Sequence, residues 1–237
     1  MQRTVRLSLW LAVPLALFIP AISALAQSAG GAGAPPAGGP PGGNPLALTF
    51  KTPDPAHGKE ISQSCQGCHG PGLVSKDEAV PGLAGQHSSY TRLQLAAFRA
   101  KLRPSEVMWK QAANLSDQDI ADIAAYAGGL QPGPAWAVAG ADTALRTKGE
   151  ALFHMGDGPR NIIACAICHG ADGRGDDRLG VASITNLAPR YGGEVLAEFK
   201  NTPEFGVPHP NAMRIMLRPM TDEDMKAVEV YISSMGK

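Results

Sequence analysis

Four cysteines stand in the 237-residue chain: Cys65, Cys68, Cys165 and Cys168. Within each pair two residues intervene, and a histidine follows at once, His69 after the first pair and His169 after the second. Two thiols so spaced on a turn of helix can add to both vinyl groups along one porphyrin edge. The next histidine then lies under the iron as an axial ligand. Cys-x-x-Cys also suits zinc or a dithiol redox pair, but neither of those chemistries explains an adjoining histidine that occurs twice. The pattern therefore predicts two covalently bound haem c groups, attached at Cys65/Cys68 and Cys165/Cys168, with His69 and His169 on the irons.

A second axial ligand must come from elsewhere, and Met or His is the usual donor. Met108 is the one methionine of the first half of the chain beyond Met1, seven residues ahead of Leu115. Met213 lies seven residues ahead of Met220, which is the position equivalent to Leu115. The comparison selects Met213 over Met220 and over Met216, its main rival; packing in a core is the other use of such a methionine. His57, His87, His154 and His209 have no counterpart histidine in the other half and read as surface or hydrogen-bonded side chains. His209, four residues before Met213, leaves a His/His pairing conceivable there.

The elements that must position these residues are helices, and they come twice. Cys65-Gln66-Gly67-Cys68-His69-Gly70 matches Cys165-Ala166-Ile167-Cys168-His169-Gly170 at an offset of 100, and Leu115-Ser116-Asp117-Gln118-Asp119-Ile120 matches Met220-Thr221-Asp222-Glu223-Asp224-Met225 at 105. Ser116 and Thr221 are helix caps with an acid three residues on. Ile120, Ile123, Ala124 and Ala127 then recur at helical spacing, as do Met225, Val228 and Ile232. A middle helix is predicted over 89–101, and a proline-rich loop over 200–211. No strand pattern of comparable length appears, so the fold class is all-α. The breaker Gly128-Gly129-Leu130-Gln131-Pro132-Gly133-Pro134 separates the copies. The predicted organisation is a signal peptide over 1–26, a Gly/Pro/Ala-rich linker over 27–45, a first domain over 46–133 and a second over 140–237.

The N-terminus has a basic start (Arg3, Arg6), an apolar run to Ala26 and an A-x-A site at Ala24–Ala26, the marks of a cleaved export signal; retention as a membrane anchor is the alternative. Export predicts a periplasmic location, with peripheral membrane association possible through the tail. Formal net charge is zero, which gives no electrostatic footprint for nucleic acid. Aromatic content is 5%, little for a core built from side chains alone, and a large buried cofactor would supply apolar bulk.

The run Pro81-Gly82-Leu83-Ala84-Gly85-Gln86-His87, with Tyr90, Gln94-Leu95, Phe98, Arg103, Met108 and Leu115-Ser116, resembles the dihaem cytochrome c4 family, and the likeness extends over both halves. It implies two tandem class I cytochrome c domains, axial pairs His69/Met108 and His169/Met213, and a periplasmic electron carrier rather than an enzyme. The partners it implies are a terminal oxidase, a bc1-type complex or a periplasmic dehydrogenase; the alternative reading makes the chain a fixed subunit of the last. In such folds a proline carbonyl meets the proximal histidine. Pro81 stands 12 residues after His69, and its counterpart by alignment is about Thr185. A dihaem enzyme is the remaining alternative: a peroxidase needs a haem with an open position, and a cysteine-ligated enzyme needs a spare cysteine. Arg99, Lys101, Arg103 and Lys110 cluster near Met108 as a solvated helix end, or as a site for haem propionates or an acidic partner.

Overall fold

Local rules set the helix starts. In the computed structural model, which describes residues 44–136, 143–201 and 208–235, Ser116 accepts the Asp119 N–H while the Asp119 carboxylate accepts the Ser116 N–H, opening α5 (Asp117–Gly128). Thr221 and Asp224 open α10 (Asp222–Ser233) in the same way. Each reciprocal pair satisfies two amide donors that the first turn leaves without intrahelical partners. The predicted signal peptide, and the linker up to residue 43, lie outside the described residues.

The first repeat consists of α1 (Pro55–Ile61), the single turn α2 (Gln66–His69), α3 (Ser88–Arg99), α4 (Glu106–Ala112) and α5. The second consists of α6 (Thr143–Met155), the single turn α7 (Ala166–His169), α8 (Pro189–Asn201), α9 (Pro208–Leu217) and α10. Among the described residues the only β-type pairings are two isolated bridges, Asp157 with Ile162 and Asp176 with Val181. Within each repeat the first helix packs on the last, and the middle helix packs on that last helix too. The α1–α5 and α6–α10 contacts are close because a glycine stands at each: a methyl group on Gly58 would collide with the Asp122 carbonyl oxygen, and one on Gly149 with that of Ala227.

Met108 lies in a helix of its own, α4, which Ser105 caps through the Met108 N–H at 3.3 Å. One expectation is corrected. The predicted proline-rich loop over 200–211 gives way to α9 at Pro208. Proline suits a first helical turn, where its missing N–H would have had no intrahelical partner.

Polar contacts join the repeats. The Gln86 amide donates to Ser183 O (2.8 Å) and accepts from Ser183 N (2.9 Å), while Tyr191 N donates to Glu78 O (2.7 Å). Arg103, only 8% exposed, donates to Gln94 within its own repeat (2.8 Å) and to Glu198 and Tyr191 across the junction (3.2 Å each). Burial alone would lower the guanidinium pKa; Tyr191, Tyr90 and Glu198 more than offset this and raise it. Burial, with Tyr191 beside it, pushes the Tyr90 hydroxyl up to about 12.

Candidate haem sites

Cys68 and His69 ride on α2, and Cys65 ends the 3-10 turn just before it. Cys168 and His169 ride on α7, with Cys165 at its N-cap. In both repeats the first cysteine is half-buried, the second exposed and the histidine buried. Gly70 and Gly170 then turn the chain with φ of 79° and 77°, a conformation that a Cβ would disfavour. The glycine after each histidine thus lets the backbone leave the turn at once.

His69 donates from Nδ1 to Pro81 O at 2.8 Å, and His169 from Nδ1 to Ala182 O at 2.9 Å. This fixes one tautomer and leaves the Nε2 lone pair of each ring for a metal. Burial lowers the pKa of both imidazoles, partly opposed by the carbonyl each ring faces, so both are neutral donors at pH 7. The second carbonyl belongs to Ala182, three residues before the Thr185 that alignment suggested. The carbonyl stands 13 residues after His169 against 12 after His69, with the Asp176–Val181 bridge in the intervening turn.

Burial raises the Cys65 pKa and pushes Cys165 up to about 11. Cys65 and Cys165 are thus thiols at neutral pH rather than activated thiolates. Thiols aligned on one turn, with a neutral histidine next in chain, fit covalent haem c.

Met108 is half-buried on α4. Met213 is half-buried on α9 and packs against the second repeat's core, built from Phe153, Leu196, Phe199, Val228 and their neighbours. Met220, which the repeat comparison set aside, is a buried member of that core. His57 bonds Asp122 (2.8 Å), His87 donates to Arg174 O (2.6 Å) and His154 bonds the Tyr231 hydroxyl (2.8 Å). The His209 side chain lies outside the described residues. Three of the four cations near Met108 go separate ways: Arg99 pairs with Asp117 (2.6 Å), Lys101 lies over the Trp109 ring and Arg103 enters the junction. Sequence reasoning missed Ala182, whose contribution is a backbone atom. It also missed Tyr191, although the match of Tyr90 with Tyr191 at an offset of 101 was a usable signal.

Two helical repeats, each presenting a Cys-x-x-Cys-His turn beside a histidine-orienting carbonyl, define a tandem c-type cytochrome. The family description "Cytochrome c" matches residues 55–131 and again 147–236, and the chain belongs to that family. A cytochrome c4 from Thiocapsa roseopersicina is 32% identical over 186 residues, covering 78% of this chain and 94% of the relative. A thiosulfate dehydrogenase electron acceptor from Stutzerimonas stutzeri is 30% identical over 179 residues, covering 74% of this chain and 81% of the relative. The crystal structure of reduced cytochrome c4 from Pseudomonas stutzeri superposes with a TM-score of 0.72 at 28% identity, covering 78% of this chain and all of that one. The fold is that of two tandem cytochrome c domains, and the cofactors are two covalent haem c groups. No helix among the described residues is long and apolar enough to cross a membrane.

Proposed function

We propose that the chain is a periplasmic dihaem carrier that takes electrons from a dehydrogenase and passes them toward a terminal oxidase or bc1-type complex, performing no bond chemistry of its own. The observation that carries this reading is the doubled pair of a buried, neutral histidine and a fixed carbonyl acceptor. The domains span 46–133 and 140–237, preceded by a linker and a cleaved export signal over 1–26.

When bound, each haem c supplies an iron that gains and loses one electron. Cys65 and Cys68 would tether the first and Cys165 and Cys168 the second; His69 with Met108, and His169 with Met213, would donate to the irons. The Pro81 and Ala182 carbonyls hold the imidazoles at one orientation, and this second-shell bond raises the basicity of the ligating nitrogen. A thioether as the other donor raises the potential relative to a second imidazole. Held by two protein side chains each, the irons would keep no position for a small-molecule substrate. The junction bonds through Gln86, Arg103 and Tyr191 keep the two sites at a fixed separation, so that one accepts while the other donates. The S. stutzeri relative named as an electron acceptor of thiosulfate dehydrogenase supports a dehydrogenase as donor, as a passing partner or as a fixed one.

The test is mass analysis and spectroscopy of the protein made in a haem c-competent host. Two added haems, a far-red sulfur-to-iron band for both ferric sites and slow carbon monoxide uptake by the reduced form are expected. Fewer than two added haems, or rapid carbon monoxide binding at both sites, would overturn the reading. Co-purification with a catalytic subunit from native membranes would mark the fixed-subunit form.

A further inference from the structure

The residue before the close-packed glycine is His57 in the first repeat and Lys148 in the second. The two glycines mark equivalent positions, since each meets a backbone carbonyl of its own repeat's last helix, that of Asp122 or of Ala227. Both preceding side chains reach an acid on that helix. His57 Nδ1 lies 2.8 Å from Asp122 Oδ2, and Lys148 Nζ lies 3.0 Å from both Glu223 and Asp224. The acids differ because the counterpart of Asp122 is Ala227, whose side chain accepts nothing.

The cations differ in what pH does to them. A lysine keeps its charge beyond about pH 9, whereas an imidazole changes charge at about pH 6.5. The His57 side chain is 42% exposed and exchanges protons with solvent, while that of Asp122 is 2% exposed. Burial works to raise the Asp122 pKa, but the Asp54 amide, His57 and Gln118 outweigh it and hold the carboxyl below its ordinary value. The charged groups that face His57 are Asp122 and Asp119 on α5 and Glu60 on α1. Asp54, which caps α1, accepts the His57 N–H at 3.4 Å, and Lys59 is the other basic residue of that helix. The 3-10 turn packed beside α1, Ser62–Cys65, carries no charged side chain. The bond to Asp122 raises the imidazole pKa against the opposing effect of burial. The charged pair therefore contributes in full below the unfolded value of about 6.5, and its contribution is lost as pH rises through the higher folded value. The neutral ring can still donate from Nδ1, so the charge is lost and not the bond.

The helix α1 passes at Ser62 straight into the 3-10 turn that ends at Cys65, and that turn passes straight into α2 with Cys68 and His69. Whatever holds α1 to α5 thus steadies the first attachment turn. We propose that His57 and Asp122 form a pH-responsive clasp on the first attachment turn, firmer in acid than in mild base, while the lysine clasp of the second repeat is indifferent over the same range. The clasp is independent of the electron-carrier reading, and its failure would leave that reading intact.

The test is amide hydrogen exchange of the reduced, haem-loaded chain at about pH 5.5 and about pH 8.5, each amide's rate divided by its unstructured rate at the same pH. Protection over residues 57–69 should fall about 2- to 5-fold from the lower pH to the higher, the range of an exposed charge pair, and protection over residues 148–169 should hold. In H57Q, which keeps a neutral donor, the fall over 57–69 should vanish. In H57K, which copies the second repeat, protection should stay at the parent's acid level at both pH values; this variant decides the matter should the first not fold. An equal fall in the two repeats of the parent would overturn the proposal. So would a fall over 57–69 that survives in both variants, or one that stops at residue 61.

Discussion

At the scale of single residues, Pro81 and Ala182 share nothing but a backbone carbonyl, and that is all His69 and His169 use. A backbone acceptor is indifferent to side-chain type, so the second one left no trace in the sequence. The proposed thioether donors are different, because only a side chain can supply them. Met108→Ala should remove half of the far-red sulfur-to-iron absorbance and open one of two sites to carbon monoxide, with haem content unchanged. Met213→Ala should remove the other half, whereas Met216→Ala should leave the band intact; a band lost with Met216 instead would move the second ligand by one turn of α9. Absorbance and carbon monoxide titration check all three.

At the scale of elements, the repeats tie their first helices down with different acids. In the first repeat Asp122 on α5 accepts from Asp54 N (2.7 Å) and from His57 (2.8 Å). In the second, Asp224 at the start of α10 binds Arg160 (2.7 Å) and Lys148 (3.0 Å). Burial works to raise the Asp224 pKa, but Arg160, the Thr221 cap and Lys148 outweigh it and hold the carboxyl well below the usual range. A carboxylate with a depressed folded-state pKa stabilises the fold above its unfolded value of about 3.9, and that contribution is lost as pH falls through the lower folded value. Asp224→Asn should therefore destabilise the protein at neutral pH by about 1–3 kcal/mol, the order of losing hydrogen bonds to a charged group whose cationic partners stay solvated. It should also flatten the acid limb of the stability curve, which urea unfolding across pH would show. The glycines make a second element-scale prediction. Gly58→Ala and Gly149→Ala each force a methyl group against a helix backbone and should each cost about 1–3 kcal/mol or more, measured as a lowered Tm. Sequence reading passed over both glycines because it sees composition along one helix and not the approach of another.

At the scale of the whole molecule, Arg103 is the clearest case of a side chain whose role its neighbours in sequence disguise. It stands among Arg99, Lys101 and Lys110, yet it leaves them for the second repeat. A double-mutant cycle with Arg103→Gln and Glu198→Gln should give a coupling of about 0.5–3 kcal/mol in urea unfolding. The single Arg103 change should also slow electron exchange between the two sites, read by pulse radiolysis, because the separation of the sites depends on the junction. Additive single effects would assign the junction to its other bonds, such as Gln86 with Ser183.

The amino-acid sequence by itself determined what depends on neighbours within a turn or two: the Cys-x-x-Cys-His spacing that matches one porphyrin edge, the Ser116 and Thr221 caps, the helical stripes and their repetition. All of these are short-range interactions whose geometry the covalent chain fixes. Only the tertiary structure decided which carbonyl meets His169, which acid anchors each first helix, and that Arg103 joins the two repeats. Those contacts close loops of 13 to 95 residues; packing selects such partners, and residue type along the chain does not.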